Sequence, residues 1–357
     1  MKIVVKVGSN AILTTNGEPL IDVMSSIIQQ ITELQQKGHQ IILVSSGAVA
    51  LGRALALKIS GKKYGVSVAD KQLLASIGQP QLMAIYAKIC ESKNFVVAQL
   101  LLTKYDFQTK RSYTNILRLL QKYLSQNQLL TIVNENDSVA IDELMFTDND
   151  ELAGIIAAQI GADKLIILST IDGIYDKNPS EPDATLITEL HYTDPLPDVS
   201  GKSSFGRGGM SSKLNTARKM AKVGVMTHIA NINEINAITQ IVLNNANIGS
   251  KMIPNTKYVA RKKYLAFNTQ TTPHGQITIN WCLVKILSQP HHSISILPVG
   301  IESYNGDFKR GDLIEIMTPK GDSIGVGIAR YNSNKLIEYL GGKNHPALIH
   351  YDYLYIN

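Results

Sequence analysis

Apolar positions along the first 250 residues switch repeatedly between two periods. Ile3-Val4-Val5-Lys6-Val7 is a β-rich run that ends in Gly8-Ser9-Asn10. Ile21, Met24, Ile27, Ile28, Ile31 and Leu34 then recur at helical spacing until Gly38. Ile41-Ile42-Leu43-Val44 is a continuous apolar run of the kind buried on both faces of a parallel sheet. After it, Ser45-Ser46-Gly47-Ala48 opens a helix through Leu57, and a longer helical pattern runs from Ala69 to Ser92, with a kink expected at Pro80. The alternation continues with strand Phe95–Leu100, helix Ser112–Leu124, strand Leu129–Val133, helix Glu151–Ile160 and strand Lys164–Leu168. Beyond a Pro/Asp/Ser-rich stretch that reads as loop and a short hairpin come strand Val225–Ala230 and helix Glu234–Leu243. Such alternation predicts a layered α/β/α sheet domain, with ligands held outside the carboxyl ends of the strands.

The pattern changes after residues 256–273, which read as a linker between a domain at 1–255 and a second at 274–357. Short apolar runs at Ile294–Leu297, Leu313–Ile316 and Ile324–Ile328, with turn signals at Asn305-Gly306, Arg310-Gly311 and Lys320-Gly321, predict a small β-barrel-like domain. Tyr351, Tyr353 and Tyr355 alternate as in a last strand with one aromatic face.

Composition refines this picture modestly. A chain of 357 residues has room for two domains. No apolar run approaches the roughly 18–20 residues that span a bilayer, and the start reads as a strand rather than a signal peptide. Cys90 and Cys282 have no partner motif, so both are expected in core packing, and a reduced, cytoplasmic setting is the simplest account. The formal charge is +6, but from Tyr264 onward seven basic residues cancel seven acidic ones. The excess therefore lies before residue 264, which favours anionic small molecules in the first part of the chain and weakens a nucleic-acid role for the last.

Polar clusters fall at the expected carboxyl ends: Lys6-Val7-Gly8-Ser9, Ser45-Ser46-Gly47, Asn134-Glu135-Asn136-Asp137 and Ser169-Thr170. A fifth, Gly206-Arg207-Gly208-Gly209-Met210-Ser211-Ser212-Lys213, is a glycine loop feeding a helix, whose free N–H groups suit a phosphate. Gly201-Lys202-Ser203 is no Walker A loop, because Leu196 stands where its first glycine belongs. Lys6 and Lys213 are candidate cations for a moving phosphoryl group. Asp137, Asp148 and Asp150 are carboxylates suited to an ammonium group, a lysine or Mg²⁺, and Asp148, Asn149 and Asp150 also stand where a helix cap is needed. No His/Cys cluster has metal spacing, and His291-His292 reads as a solvated turn.

Taken together, these clusters, with Gly78-Gln79 after Lys71-Gln72-Leu73-Leu74-Ala75, Leu101-Leu102-Thr103, Phe308-Lys309-Arg310-Gly311-Asp312 and Ala329-Arg330-Tyr331-Asn332-Ser333, resemble the glutamate 5-kinase family. Members have an amino-acid-kinase fold and a C-terminal PUA domain. The resemblance implies transfer of the ATP γ-phosphoryl group to the side-chain carboxylate of L-glutamate, as the first step of proline biosynthesis, with Mg²⁺ on the nucleotide phosphates. It implies catalytic roles for Lys6, Lys213 and Asp150, glutamate binding by Ser46, Asp137 and Asn149, and ATP binding by Lys6, Ser169, Thr170 and Arg207, Gly208, Gly209, Met210, Ser211, Ser212 and Lys213. It also implies a homodimer or tetramer, handover of glutamyl phosphate to the following reductase, and no membrane partner. Two places depart from the family pattern: Ser169-Thr170 where Thr-Asp is usual, and Asn280-Trp281-Cys282-Leu283 where an Asp-Glu-Gly-Ala-like turn is common. A kinase of acetylglutamate, aspartate or carbamate is the nearest alternative, and an RNA-associated protein working through its last domain is the alternative of another class.

Overall fold

The computed structural model describes residues 1–107, 110–140, 146, 148–197, 209–254, 275–287 and 294–356. The chain divides into two units, one of Met1–Asp106 with Asn115–Lys257, the other of Phe107–Thr114 with Tyr258–Asn357. Residues 256–273, Gly201–Ser203, Gly206–Gly208 and His291-His292 lie outside the described residues.

The first unit is built on β1 (Lys2–Val7), β2 (Gln40–Ser45), β3 (Val96–Leu102), β4 (Leu129–Glu135), β5 (Lys164–Ser169), β8 (Glu189–His191), β9 (Met226–Asn231) and β10 (Ser250–Ile253), in the order β3-β4-β2-β1-β5-β9-β10-β8. The six strands from β3 to β9 are parallel, and β10 turns antiparallel against β9. From β1 the chain moves outward through β2 and β3, returns with β4, and then crosses to β5 on the other flank. The reversal lies at β1, so the carboxyl ends of β1, β2, β4 and β5 open on one crevice. The predicted short hairpin is β6 (Ile174–Tyr175) paired with β7 (Leu186–Ile187).

Period-two alternation decides what each strand end presents. Ile3, Val5 and Val7 of β1 point into a large core shared with α2 (Ile21–Gln36), α4 (Val68–Glu91) and α8 (Ala237–Leu243). Val4 and Lys6 therefore face the opposite layer, where α6 (Asn149–Ile160) packs on β1. Every residue of α6 from Asp150 to Ile160 is buried, the apolar ones on all sides together with Asp150, Glu151 and Gln159. Asp148 caps it: its Oδ1 accepts the N–H groups of Asp150 at 2.8 Å and Glu151 at 3.1 Å. Gly161, at φ 66°, ends it in the left-handed conformation.

Two helices approach unusually closely. α3 (Ala48–Ser60) lies on α4 through Gly52 and Gly78, where a Cβ on Gly52 would fall 1.9 Å from the Leu74 carbonyl oxygen and one on Gly78 1.9 Å from that of Ala48. α4 runs through Pro80 as one 24-residue helix.

The second unit carries a five-stranded sheet ordered β12-β11-β13-β14-β15, from β11 (Gly275–Ile279), β12 (Ile301–Asn305), β13 (Leu313–Met317), β14 (Ser323–Ile328) and β15 (Leu354–Ile356). It has its own core around Ile277, Ile279, Phe308, Ile314, Ile316, Leu336 and Leu348. Gly306, Gly311 and Gly321 take positive φ at the predicted turns.

Several expectations need correction. Ile294–Leu297 contributes only an isolated bridge, Ile296 to Ile349, rather than a strand. Tyr351 to Tyr353 form a 3₁₀ turn, so of the alternating tyrosines only Tyr355 lies in a strand. α8 begins at Ala237, not Glu234, because Asn236 at φ 53° breaks the helical path. Cys90 is buried, and burial pushes its thiol up to about 12, whereas Cys282 is exposed instead of packed in a core.

Candidate active site

Three charged side chains that are 63 and more residues apart in sequence meet beneath the crevice. Lys6 reaches down from the end of β1, Asp150 points up from the second position of α6, and Lys213 comes from the first turn of α7 (Met210–Lys222). Lys6 Nζ stands 2.6 Å from Asp150 Oδ1, and Lys213 Nζ 2.9 Å from Oδ2. Asp150 is fully buried and both lysines nearly so. Burial, the largest single influence on Asp150, favours its neutral form, but Lys6 and then Lys213 outweigh it and hold the carboxyl below the usual range. Two ammonium groups thus converge on one ionised carboxylate, which aligns them and leaves positive charge for an anion. Asp148, by contrast, is shifted upward. Burial is the main cause and the charge of Asp150 the next, partly offset by a hydrogen bond from Ser212, the charge of Lys6 and the Glu151 N–H.

Beside this triad runs a chain of amides. Asn149, the residue between Asp148 and Asp150, donates from Nδ2 to Ser46 Oγ at 2.7 Å, Asn134 Oδ1 at 2.9 Å and the Ser45 carbonyl at 3.3 Å. Asn134 in turn donates to Gln79 Oε1 at 2.8 Å and accepts the N–H of Glu135 at 2.8 Å. The ends of β2 and β4 and the start of α6 are tied together in this way. Asp137 sits in the turn after β4, which closes as the N–H groups of Val139 and Ala140 bond the Asn136 carbonyl.

On the other flank, Ser169 ends β5 and its carbonyl accepts the Ile232 N–H at 2.7 Å, while Thr170 is exposed just beyond. Gly209, at φ −74° and ψ 177°, precedes α7, with Met210, Ser211 and Ser212 in its opening turn beside Lys213. Arg207 and Gly208 lie outside the described residues. Among the described residues no group of three His, Cys, Asp or Glu side chains could hold a metal ion, and no helix is long and apolar enough to cross a membrane.

Lys6, Lys213, Asp150, Asn149 and Ser46 are therefore brought together, with Asn134 as a link. Sequence reading left Gln79 without a role, since its partner lies 55 residues further on. Its one local signal is a glutamine seven residues after Gln72 in a helix segment otherwise apolar but for Ser76.

Residues 1–231 match the model of the amino acid kinase family, and residues 275–345 that of the PUA domain. A glutamate 5-kinase from Bacteroides thetaiotaomicron is 40% identical over 99% of this chain and 98% of its own length. One from Chlorobaculum tepidum is 39% identical over 99% and 97%. Among solved structures, a UMP kinase from Bacillus anthracis superposes with a TM-score of 0.50 at 14% identity, over 71% of this chain and 96% of that one, a likeness of fold alone.

Proposed function

We propose, from the premise that this chain belongs to the amino acid kinase family and is matched along its length by glutamate 5-kinases, that it phosphorylates the side-chain carboxylate of L-glutamate with ATP to give L-glutamyl 5-phosphate, the first step of proline biosynthesis. The observation that carries this reading is the buried Lys6–Asp150–Lys213 triad standing beside the Asn149–Ser46 pair.

The chemistry suits these groups. A carboxylate is already ionised at neutral pH, so the acceptor needs no general base, and what the enzyme supplies is alignment and charge. Asn149 and Ser46 would hold the acceptor at the ends of β2 and β4, and Asp137 would take its ammonium group. Lys6 and Lys213 would then meet the transferring phosphoryl group from two sides, with Asp150 keeping their ammonium groups fixed rather than free to search rotamers. Gly209, Met210, Ser211 and Ser212 open α7 with no side-chain cap among the described residues, an arrangement that suits nucleotide phosphates, and Ser169 and Thr170 lie on the same flank. The donor set here is cationic rather than a cage of carboxylates, so Mg²⁺ fits as an ion carried on the nucleotide phosphates, where it would neutralise charge on the nucleotide. The same likeness supports a cytoplasmic homo-oligomer that passes its labile acyl phosphate to a reductase.

The test is a coupled ADP-release assay on pure protein with L-glutamate, L-aspartate, N-acetyl-L-glutamate and carbamate. Glutamate-dependent release that stops when EDTA removes Mg²⁺ is the expected result. Release with any other acid but not with glutamate would refute the assignment.

A further inference from the structure

α4 carries three polar side chains at seven-residue intervals, Gln72, Gln79 and Tyr86, and each holds a different segment on the acceptor side of the crevice, the turn after β4, the end of β4 and the end of β2. Gln72 Nε2 donates to the Ala140 carbonyl at 3.1 Å, closing the turn that contains Asp137. Gln79 Oε1 accepts from Asn134. The buried Tyr86 hydroxyl is 2.9 Å from Ser45 Oγ, next to Ser46. Seven residues fall about 20° short of two helical turns, so the three share one stripe. Gly78 brings that stripe in, because its missing Cβ lets α4 press against the Ala48 carbonyl at the start of α3.

The orientation of the amide chain follows from one group that cannot flip. The backbone N–H of Glu135 only donates, so the Asn134 atom 2.8 Å away is Oδ1. Asn134 Nδ2 must then face Gln79, and Gln79 must offer Oε1 to it. This leaves Gln79 Nε2 as a buried donor and, at the other end of the chain, Asn149 Oδ1 as a buried acceptor, each without a hydrogen-bond partner among the described residues. Buried polar atoms in folded proteins are nearly always paired, so an unpaired donor at the edge of a site marks where a ligand completes the bond.

We infer that Gln79 is an acceptor-binding residue, whose Nε2 donates to a carboxylate of the acceptor while its Oε1 keeps Asn134, and through it Asn149, in register. The inference rests on the glutamate reading, since it is a carboxylate that Nε2 addresses. Gln72 and Tyr86 are positioning residues on the same stripe.

The test uses the full chain and steady-state kinetics in both substrates. Q79M keeps the length of the side chain and removes the donor, and Q79E puts an acceptor where the donor stood. In each, KM for glutamate should rise ~10- to 100-fold, the size of a lost bond to a charged group, while KM for ATP stays within about twofold. The Q79E variant has a signature that a packing defect lacks: as pH is lowered, protonation of the introduced carboxyl restores a donor, so its glutamate KM falls towards that of the native enzyme. A native-like glutamate KM in Q79M, or an equal loss in both substrates that follows a lowered melting temperature, overturns the inference. If the native chain turns over glutamate and Q79M does so equally well, only the role of Gln79 fails; if the native chain releases no ADP with glutamate, the substrate reading fails with it.

Discussion

The position of Asp150 between two lysines sets different expectations for the three residues. A buried carboxylate stripped of its partners is costly, but here each lysine backs up the other. Lys6→Met or Lys213→Met leaves Asp150 with one ammonium group, so the fold should persist while kcat falls ~10²- to 10³-fold, as when one preorganised charge is withdrawn from a transition state. Asp150→Ala is the opposite case, since it leaves two ammonium groups buried against each other. Its stability should drop by ~3–5 kcal/mol, read as a shifted urea midpoint. A Lys6→Met enzyme with full kcat would remove that lysine from the reaction. Sequence reading could reach this triad only through strand-end position and family likeness. No spacing rule links residues 6, 150 and 213, because it is the packing of α6 under β1 that joins them.

Among elements, legibility followed length and period. The long helices α2, α4 and α6 and the apolar strands β1, β2 and β5 are visible because burial on one face imposes a repeat, and burial on both a continuous apolar run, over many residues. β8 and β10 are not, since three and four residues at a sheet margin carry no period, and β10 is held by partners from β8 and β9. The α3–α4 contact was equally invisible: a glycine within a helix pattern reads as a weak point until the neighbouring helix is seen to fill its place. That contact makes a sharp prediction. Gly78→Ala places a Cβ 1.9 Å from the Ala48 carbonyl and 2.5 Å from the Gly52 nitrogen, both backbone atoms that cannot swing aside. The helices must separate, at a cost of ~1–3 kcal/mol, and α4 withdraws Gln79 from Asn134. Thermal melts should show the loss, and glutamate KM should rise more than ATP KM. Unchanged melting would mean that the two helices part freely.

For the whole molecule, the acid side of the stability curve is set by groups away from the crevice as well as within it. His228, on β9, is 3% exposed, and neither ring nitrogen has a hydrogen-bond partner among the described residues. Burial, then the charges of Lys164 and Lys251, lower its pKa to about 4. Lys164 is itself pinned by the Ile241 carbonyl at 2.8 Å and Asn245 Oδ1 at 2.9 Å, so it cannot swing away to relieve the ring. The unfolded chain takes up this proton near the ordinary value of 6.5, well before the folded chain does. Stability is therefore whole above about pH 6.5, declines as pH falls towards 4, and loses no more to this group below that. The gap of roughly 2.5 units corresponds to ~3 kcal/mol. Asp150 acts in a lower window, because its carboxyl is held down by the two lysines, and the stability it contributes is lost only as pH falls below about 4, the unfolded value. The two windows separate cleanly in a variant. His228→Leu should flatten urea midpoints between pH 6.5 and 4 yet keep the steeper loss below, where the triad comes apart. Parallel pH slopes in the native protein and His228→Leu would show that His228 does not set the upper window.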